Sequence, residues 1–139
     1  IDTSALSKRY QQEKGTDIIC KILEDMNSEI FISSMTIIEI VSNLKRLCDI
    51  DKLTTEDKFL KQRAFFYQDI SSLNIAILDI FTDDIIKAEE LVLKRYMKPI
   101  DSIQLAIAFN LRNSNIIFVS SDLKLCKIAV EEGLKSLTP

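Results

Sequence analysis

The chain has 139 residues, of which 47% are hydrophobic and 28% charged, which is typical of one globular domain and argues against a disordered chain. Its net charge of −3 excludes the overall positive field of many nucleic-acid-binding proteins, so a polyanion would have to be bound locally. The absence of His excludes Ser-His-Asp and Cys-His catalysis and His metal ligands, which leaves carboxylates and metal ions for hydrolytic chemistry.

The N-terminal half of the chain predicts several helical segments around one strand. Residues 4–14 are mixed and polar and indicate a short helix or turn, and Thr16 is placed to cap a helix with apolar residues at helical spacing. Residues 30–32 are β-branched and aromatic, which predicts a strand. Two helices follow without an intervening strand, at 36–48 and 54–72, and we expect the region 36–72 to form a protruding helical arm.

The C-terminal half alternates strands with helices. It predicts, in order, a strand at 75–78, a helix capped by Thr82, a helix with Pro99 in its first turn, a strand at 116–119, a helix that ends before Gly133, and an edge strand at 134–137. No hairpin signal joins two strands, which favours a mostly parallel sheet with helices on both faces. We therefore predict one three-layer α/β/α domain over residues 1–139. Its first strand is expected to begin in apolar residues upstream of Ile1.

The location of the protein is indicated by its thiols and by its apolar runs. Cys20, Cys48 and Cys126 are widely spaced and form no disulfide or CxxC pattern, so we expect reduced thiols and a cytoplasmic protein. No apolar run approaches the roughly 20 residues of a membrane span, and no basic segment followed by an apolar one marks a signal peptide. We therefore expect no association with a membrane.

Four carboxylates occupy similar positions in the predicted elements. Asp2 and Asp122 each follow the end of an apolar strand. Glu39 and Asp101 lie in the predicted first turns of helices, and the helix of Glu39 follows the strand at 30–32. Because the carboxyl ends of parallel strands and the helices that follow them share one edge of the sheet, the four side chains can converge there.

Such a cluster would need cations, because like charges held together raise at least one pKa. Mg²⁺ prefers oxygen ligands, and one or two such ions can activate water and polarise a phosphoryl oxygen. A purely structural alternative stays open for each residue. Asp2 and Asp122 can cap the helices that follow them, and Glu39 and Asp101 can stabilise helix N-termini through the macrodipole.

The motifs around these carboxylates resemble those of the PIN-domain nucleases, most closely the VapC-type toxins of toxin–antitoxin modules. The resemblance rests on DTSAL at 2–6, SSMTIIEI at 33–40, PIDSIQLA at 99–106, VSSDLKL at 119–125 and EGL at 132–134. Their order and rough spacing cover essentially the whole chain. Two positions depart from the family pattern: Gln104 stands where the family often has His, and Ser120 where it usually has Thr.

The resemblance implies an Mg²⁺- or Mn²⁺-dependent ribonuclease that hydrolyses RNA phosphodiester bonds. It implies that four residues are the catalytic metal ligands: Asp2, Glu39, Asp101 and Asp122. Thr3 or Ser4, together with Ser120, would orient metal-bound water from outside the ligand shell. Three basic residues near the motifs are candidate RNA contacts, and we expect alanine at the first two to weaken RNA binding and its salt dependence: Arg95, Lys98 and Lys124.

The same resemblance implies protein partners. VapC-type proteins commonly form homodimers and are inhibited by an antitoxin, and here the arm at 36–72 would form the antitoxin groove with Phe65 or Phe66 as anchors. Burial of either Phe in the core is the alternative. Two other functions stay open: a PIN-like module that binds RNA or protein without cutting, and a housekeeping PIN nuclease in RNA processing. A receiver-type or phosphatase-like domain is disfavoured, because no Gly-rich phosphate loop is present.

Overall fold

The computed structural model describes all 139 residues as a mixed α/β fold with seven helices and four short parallel strands. The strands are β1 (Phe31–Ser33), β2 (Ala76–Leu78), β3 (Ile117–Val119) and β4 (Lys135–Leu137). The helices are α1 (Thr3–Leu6), α2 (Thr16–Glu24), α3 (Ser34–Asp49), α4 (Glu56–Ser72), α5 (Thr82–Lys94), α6 (Pro99–Asn110) and α7 (Leu123–Glu131). Two 3-10 turns occupy Ser7–Arg9 and Arg112–Ser114.

Residues 1 and 2 lie between two pairs of parallel strands. β1 pairs with β2 and β3 pairs with β4. The main-chain nitrogen of Ile1 donates to the Phe31 carbonyl at 2.8 Å, and that of Asp2 donates to the Val119 carbonyl at 2.9 Å. Residues 1 and 2 therefore bridge β1 and β3, and Asp2 lies at the carboxyl end of β3.

The two faces of the sheet are covered by separate hydrophobic clusters. Phe118 belongs to one cluster and its neighbour Val119 to the other, because successive residues of a strand point to opposite faces. The first core is built mainly from α1 to α4 with β1, and the second core from α5, α6 and α7 with β3. This arrangement confirms the predicted three-layer α/β/α fold.

The two consecutive helices expected at 36–72 are α3 and α4. Their inner sides contribute Ile40, Leu44 and Phe66 to the first core, so the pair lies against the sheet layer. The helix α3 begins at Ser34, earlier than predicted, because the Ser33 hydroxyl accepts a hydrogen bond from the Met35 amide at 3.1 Å and caps it there. None of the helices is long and apolar enough to cross a membrane.

The ends of the C-terminal helices show where local sequence signals succeed and fail. The predicted cap at Thr82 is wrong: the residue is the first of α5, and the Asp84 carboxylate instead accepts from the Phe81 amide at 2.9 Å. Gly133 follows α7 as predicted, with φ of +94° in the left-handed region. The next amide, of Leu134, donates to the Ala129 carbonyl at 2.9 Å, which turns the chain into β4.

Candidate active site

Asp2 is held in one orientation by the start of α1 and by the loop after β3. Its Oδ1 accepts hydrogen bonds from the Ala5 amide at 3.0 Å and the Ser4 hydroxyl at 2.9 Å. Its Oδ2 accepts from the Ser120 hydroxyl at 2.8 Å. Burial raises the pKa of Asp2, which is only 6% exposed, while these hydrogen bonds oppose the rise by favouring the carboxylate. The residue is both a helix cap and a buried, oriented acid.

Glu39 lies in the second turn of α3, because this helix begins at Ser34. The helix dipole favours acidic residues in the first turn only, and Glu39 lies beyond it. Stabilisation of the helix N-terminus therefore does not explain Glu39. Its Oε2 accepts from the Thr3 hydroxyl at 2.6 Å and from the Gln104 amide at 3.0 Å. Glu39 is thereby tied to α1, next to Asp2, and to α6.

Asp101 lies at the start of α6, in the electrostatic field of the other acids. It is the third residue of α6, in the first turn as predicted, and its side chain is half-buried. Burial is the main cause of its raised pKa; Lys98 opposes the rise, and the charges of Asp122, Asp2 and Glu39 add to it. Asp101 therefore sits within electrostatic reach of all three other acids.

Asp122 caps α7 and keeps one carboxylate oxygen free. Its Oδ1 accepts from the amides of Lys124 at 2.8 Å and Leu125 at 3.1 Å. Its own amide donates to the Ser120 hydroxyl at 3.0 Å, and that hydroxyl also donates to Asp2. Ser120 therefore links two of the four acids, and the cap and a ligand role for Oδ2 are compatible.

The donor set fits a hard divalent cation, although the four acids stand apart. Carboxylate and hydroxyl oxygens are the ligands that Mg²⁺ and Mn²⁺ prefer. No three of the four carboxylates bring oxygens within 4.8 Å of one another, a spacing that Cys48, Asp49 and Glu56 reach on the surface. In that surface group Lys45 Nζ already lies 2.6 Å from Glu56, so an ammonium supplies the positive charge.

The PIN domain family matches residues 1–131 of this chain. The chain belongs to the PIN domain family. PIN domains are generally nucleases, generally bind RNA and typically use divalent metal ions. A comparison with curated proteins gives no significant match.

The three predicted RNA contacts of this PIN domain lie in different electrostatic settings. Arg95 is paired with Glu131 and approaches Glu132 at 3.6 Å, at the end of α7 opposite to Asp122. Lys98 directly precedes α6, is exposed and acts electrostatically on Asp101. Lys124 is exposed in the first turn of α7. Lys98 and Lys124 are therefore near the acids, whereas Arg95 is engaged elsewhere.

The structure adds Thr36 to the polar residues around the acids. Its buried hydroxyl accepts from the Gln104 amide at 3.0 Å and lies 3.4 Å from the Thr3 hydroxyl. Sequence reasoning does not predict this role. The available signal is a hydroxyl three residues before Glu39, and therefore on the same side of α3.

Proposed function

We propose that this PIN domain is a metal-dependent endoribonuclease, with Asp2, Glu39, Asp101 and Asp122 as ligands of Mg²⁺ or Mn²⁺. The observation that carries the proposal is the hydrogen-bond network that joins the elements of the four acids. Ser120 links Asp2 to Asp122. Gln104, on the helix that carries Asp101, donates to Glu39. Burial, with a smaller contribution from the charges of the other three acids, raises the pKa of Asp101, and a hard cation with oxygen ligands would relieve that repulsion.

Three of the four proposed ligands have hydrogen-bond partners that would keep them in place during hydrolysis: Asp2, Glu39 and Asp122. A bound Mg²⁺ or Mn²⁺ would supply an activated water and stabilise charge on the phosphoryl oxygens. Ser4 and Ser120 orient Asp2, and Thr3 orients Glu39, through the hydrogen bonds described above. The N-termini of α6 and α7 favour an anionic substrate at the same edge.

The proposal is tested by RNA cleavage with purified protein. Asp2→Asn and Asp101→Asn should each lower the cleavage rate about 100-fold or more, because each removes a charge that would hold the cation. Asp83→Asn is the matched control, since Asp83 is an exposed acid in the first turn of α5. Cleavage by the unaltered protein that persists in excess EDTA would contradict the mechanism.

We further propose that the chain is a toxin, that a cognate antitoxin neutralises it, and that it forms a homodimer. Large apolar side chains on the outer sides of α3 and α4 are exposed and available to a protein partner: Ile38, Leu60, Phe65 and Tyr67. Phe66 is fully buried, which leaves Phe65 of the two candidate anchors.

Expression in a growing host tests the toxin assignment. Growth should stop with the unaltered chain, continue with Asp101→Asn, and resume with the unaltered chain when a cognate antitoxin is co-expressed. A housekeeping nuclease would leave growth unaffected. Sedimentation of the purified chain tests the homodimer, and a monomer at micromolar concentration would contradict it.

A PIN-like module that binds RNA without cutting is the second candidate. The observation in its favour is that no three of the acids bring their oxygens within 4.8 Å of one another. Calorimetric titration with Mn²⁺ separates the two functions. Binding that is lost in Asp101→Asn favours the nuclease, and heat-silent titration together with intact RNA favours the binding module.

A further inference from the structure

Gln104 joins three elements around the acids. Its Nε2 lies 3.0 Å from Thr36 Oγ1, 3.0 Å from Glu39 Oε2 and 3.3 Å from Thr3 Oγ1. These acceptors belong to α3 and α1, whereas Gln104 belongs to α6. The side chain is only 7% exposed, so its hydrogen bonds form away from competing water.

The contacts divide the two oxygens of Glu39 between different tasks. The Thr3 hydroxyl has one hydrogen and gives it to Oε2 at 2.6 Å, and the Gln104 amide gives a second hydrogen to the same oxygen at 3.0 Å. No side chain or main-chain group donates to Oε1. Two donors on one oxygen fix the plane of the carboxylate and leave the other oxygen for a ligand.

Gln104 also controls the distance between two helices that carry acids. Asp101 lies three residues earlier on α6 and therefore on the same side of that helix. The hydrogen bond from Gln104 to Glu39 holds this side of α6 against α3. Because α3 packs in the first core and α6 in the second, hydrophobic contacts within either core do not set this distance by themselves.

The amide is chemically suited to this position. A Lys or Arg at residue 104 would also donate to Glu39, but its charge would neutralise an acid that the cation needs. An amide donates without adding charge. It therefore orients Glu39 and leaves the negative potential of the site intact.

We propose that Gln104 is a positioning residue for the metal site: with Thr3 it orients Glu39 and fixes Glu39 relative to Asp101. The inference rests on the proposed metal-dependent function. Gln104→Met keeps the length of the side chain and removes its donors. It should weaken Mn²⁺ binding by about tenfold or more, the effect expected when a partner that orients a metal ligand is lost.

Mn²⁺ affinity, measured by calorimetry or electron spin resonance, tests the proposal without an activity assay. Gln104→His restores an N–H donor at similar reach and should recover affinity to within about threefold of the unaltered chain. Ser102→Ala is the control, because Ser102 is buried on the same helix but donates to the Pro99 carbonyl at 2.8 Å. Equal Mn²⁺ affinity in the unaltered chain and Gln104→Met overturns the inference and leaves the nuclease proposal standing.

A metal-free measurement separates failure of the contact from failure of the proposed function. In chelator, Gln104→Met and Glu39→Met should each change the melting temperature, and the double variant should differ from the sum of the two changes. Additive changes overturn the contact. If the unaltered chain binds no Mn²⁺, the nuclease proposal fails and the metal-positioning role of Gln104 falls with it, whatever the melting data show.

Discussion

Asp101→Asn should reverse its effect on thermal stability when metal is added. Without metal, Asp101 is half-buried among three other acids, and burial and their charges disfavour its ionised form. An amide of the same shape removes that penalty, so in chelator at pH 7.5 the variant should melt at the same temperature as the unaltered chain or above it. Functional sites often trade stability for activity, so the replacement of a functional acid can stabilise the folded chain.

Added metal should instead stabilise the unaltered chain more than Asp101→Asn. A ligand present at 100 times its dissociation constant stabilises the folded state by about 2.7 kcal/mol. Unfolding entropies near 2.1 cal/mol/K per residue give about 0.29 kcal/mol/K for 139 residues, so the melting temperature should rise by about 9 °C. Asp101→Asn should gain much less, and Asp83→Asn should gain as much as the unaltered chain.

The pH dependence in chelator provides a sign test of the same reasoning. The pKa of Asp101 is higher in the folded chain than its ordinary value of 3.8, so folding favours the protonated form. The penalty is therefore present above the raised pKa and disappears as the pH falls toward the unfolded value. The difference in melting temperature between the variant and the unaltered chain should shrink toward acid pH. Differential scanning fluorimetry measures both effects, and an equal Mn²⁺ response in the two proteins would refute the reasoning.

Three further predictions concern the surface, the core and the turn before β4. Lys98→Ala should reduce the slope of log affinity for RNA against log salt by about 1, whereas Arg95→Ala, whose guanidinium pairs with acids, should leave it nearly unchanged in filter-binding titrations. Phe66→Ala should lower the free energy of unfolding in urea by about 3–5 kcal/mol, because the Phe66 ring is fully buried. Phe65 is 40% exposed, so Phe65→Ala should lower it much less. Similar losses in the two variants would contradict the packing. Gly133→Ala should lower the free energy of unfolding by about 1 kcal/mol because of the positive φ alone, since no atom lies within 4 Å of an added Cβ. A larger loss in the same assay would indicate a clash.

The three-layer arrangement could be predicted from the sequence because it follows from the alternation of strands and helices. Strands separated by helices, with no hairpin signal, leave few topologies other than a parallel sheet covered on both faces. That topology alone brings the loop between β3 and α7 and the residue before α1 to one edge. Asp122 and Asp2 therefore lie where strand-end reasoning expects them, whatever their chemical role.

Other features depend on contacts that periodicity does not encode. Phe65 and Phe66 are adjacent and equally apolar, and both contact the Tyr10 ring edge to face, yet Phe66 is fully buried in the first core and Phe65 is 40% exposed. Arg95 looks free in the sequence, but its partner Glu131 lies 36 residues away. Glu39 lies in the second turn of α3, whereas the sequence predicts the first turn, because the Ser33 hydroxyl caps the helix earlier than expected.

The division of the acids between the two cores links the fold to the proposed chemistry. Asp2 and Glu39 are carried by helices of the first core, and Asp101 and Asp122 by helices of the second. Repulsion among the four charges therefore acts to separate the two halves of the molecule at the edge where they meet, while Gln104 and Ser120 hold them together. A cation bound by all four acids would reverse the sign of that force. Metal affinity and the cohesion of the two cores should consequently be one coupled property, since whatever binds only the closed arrangement also stabilises it.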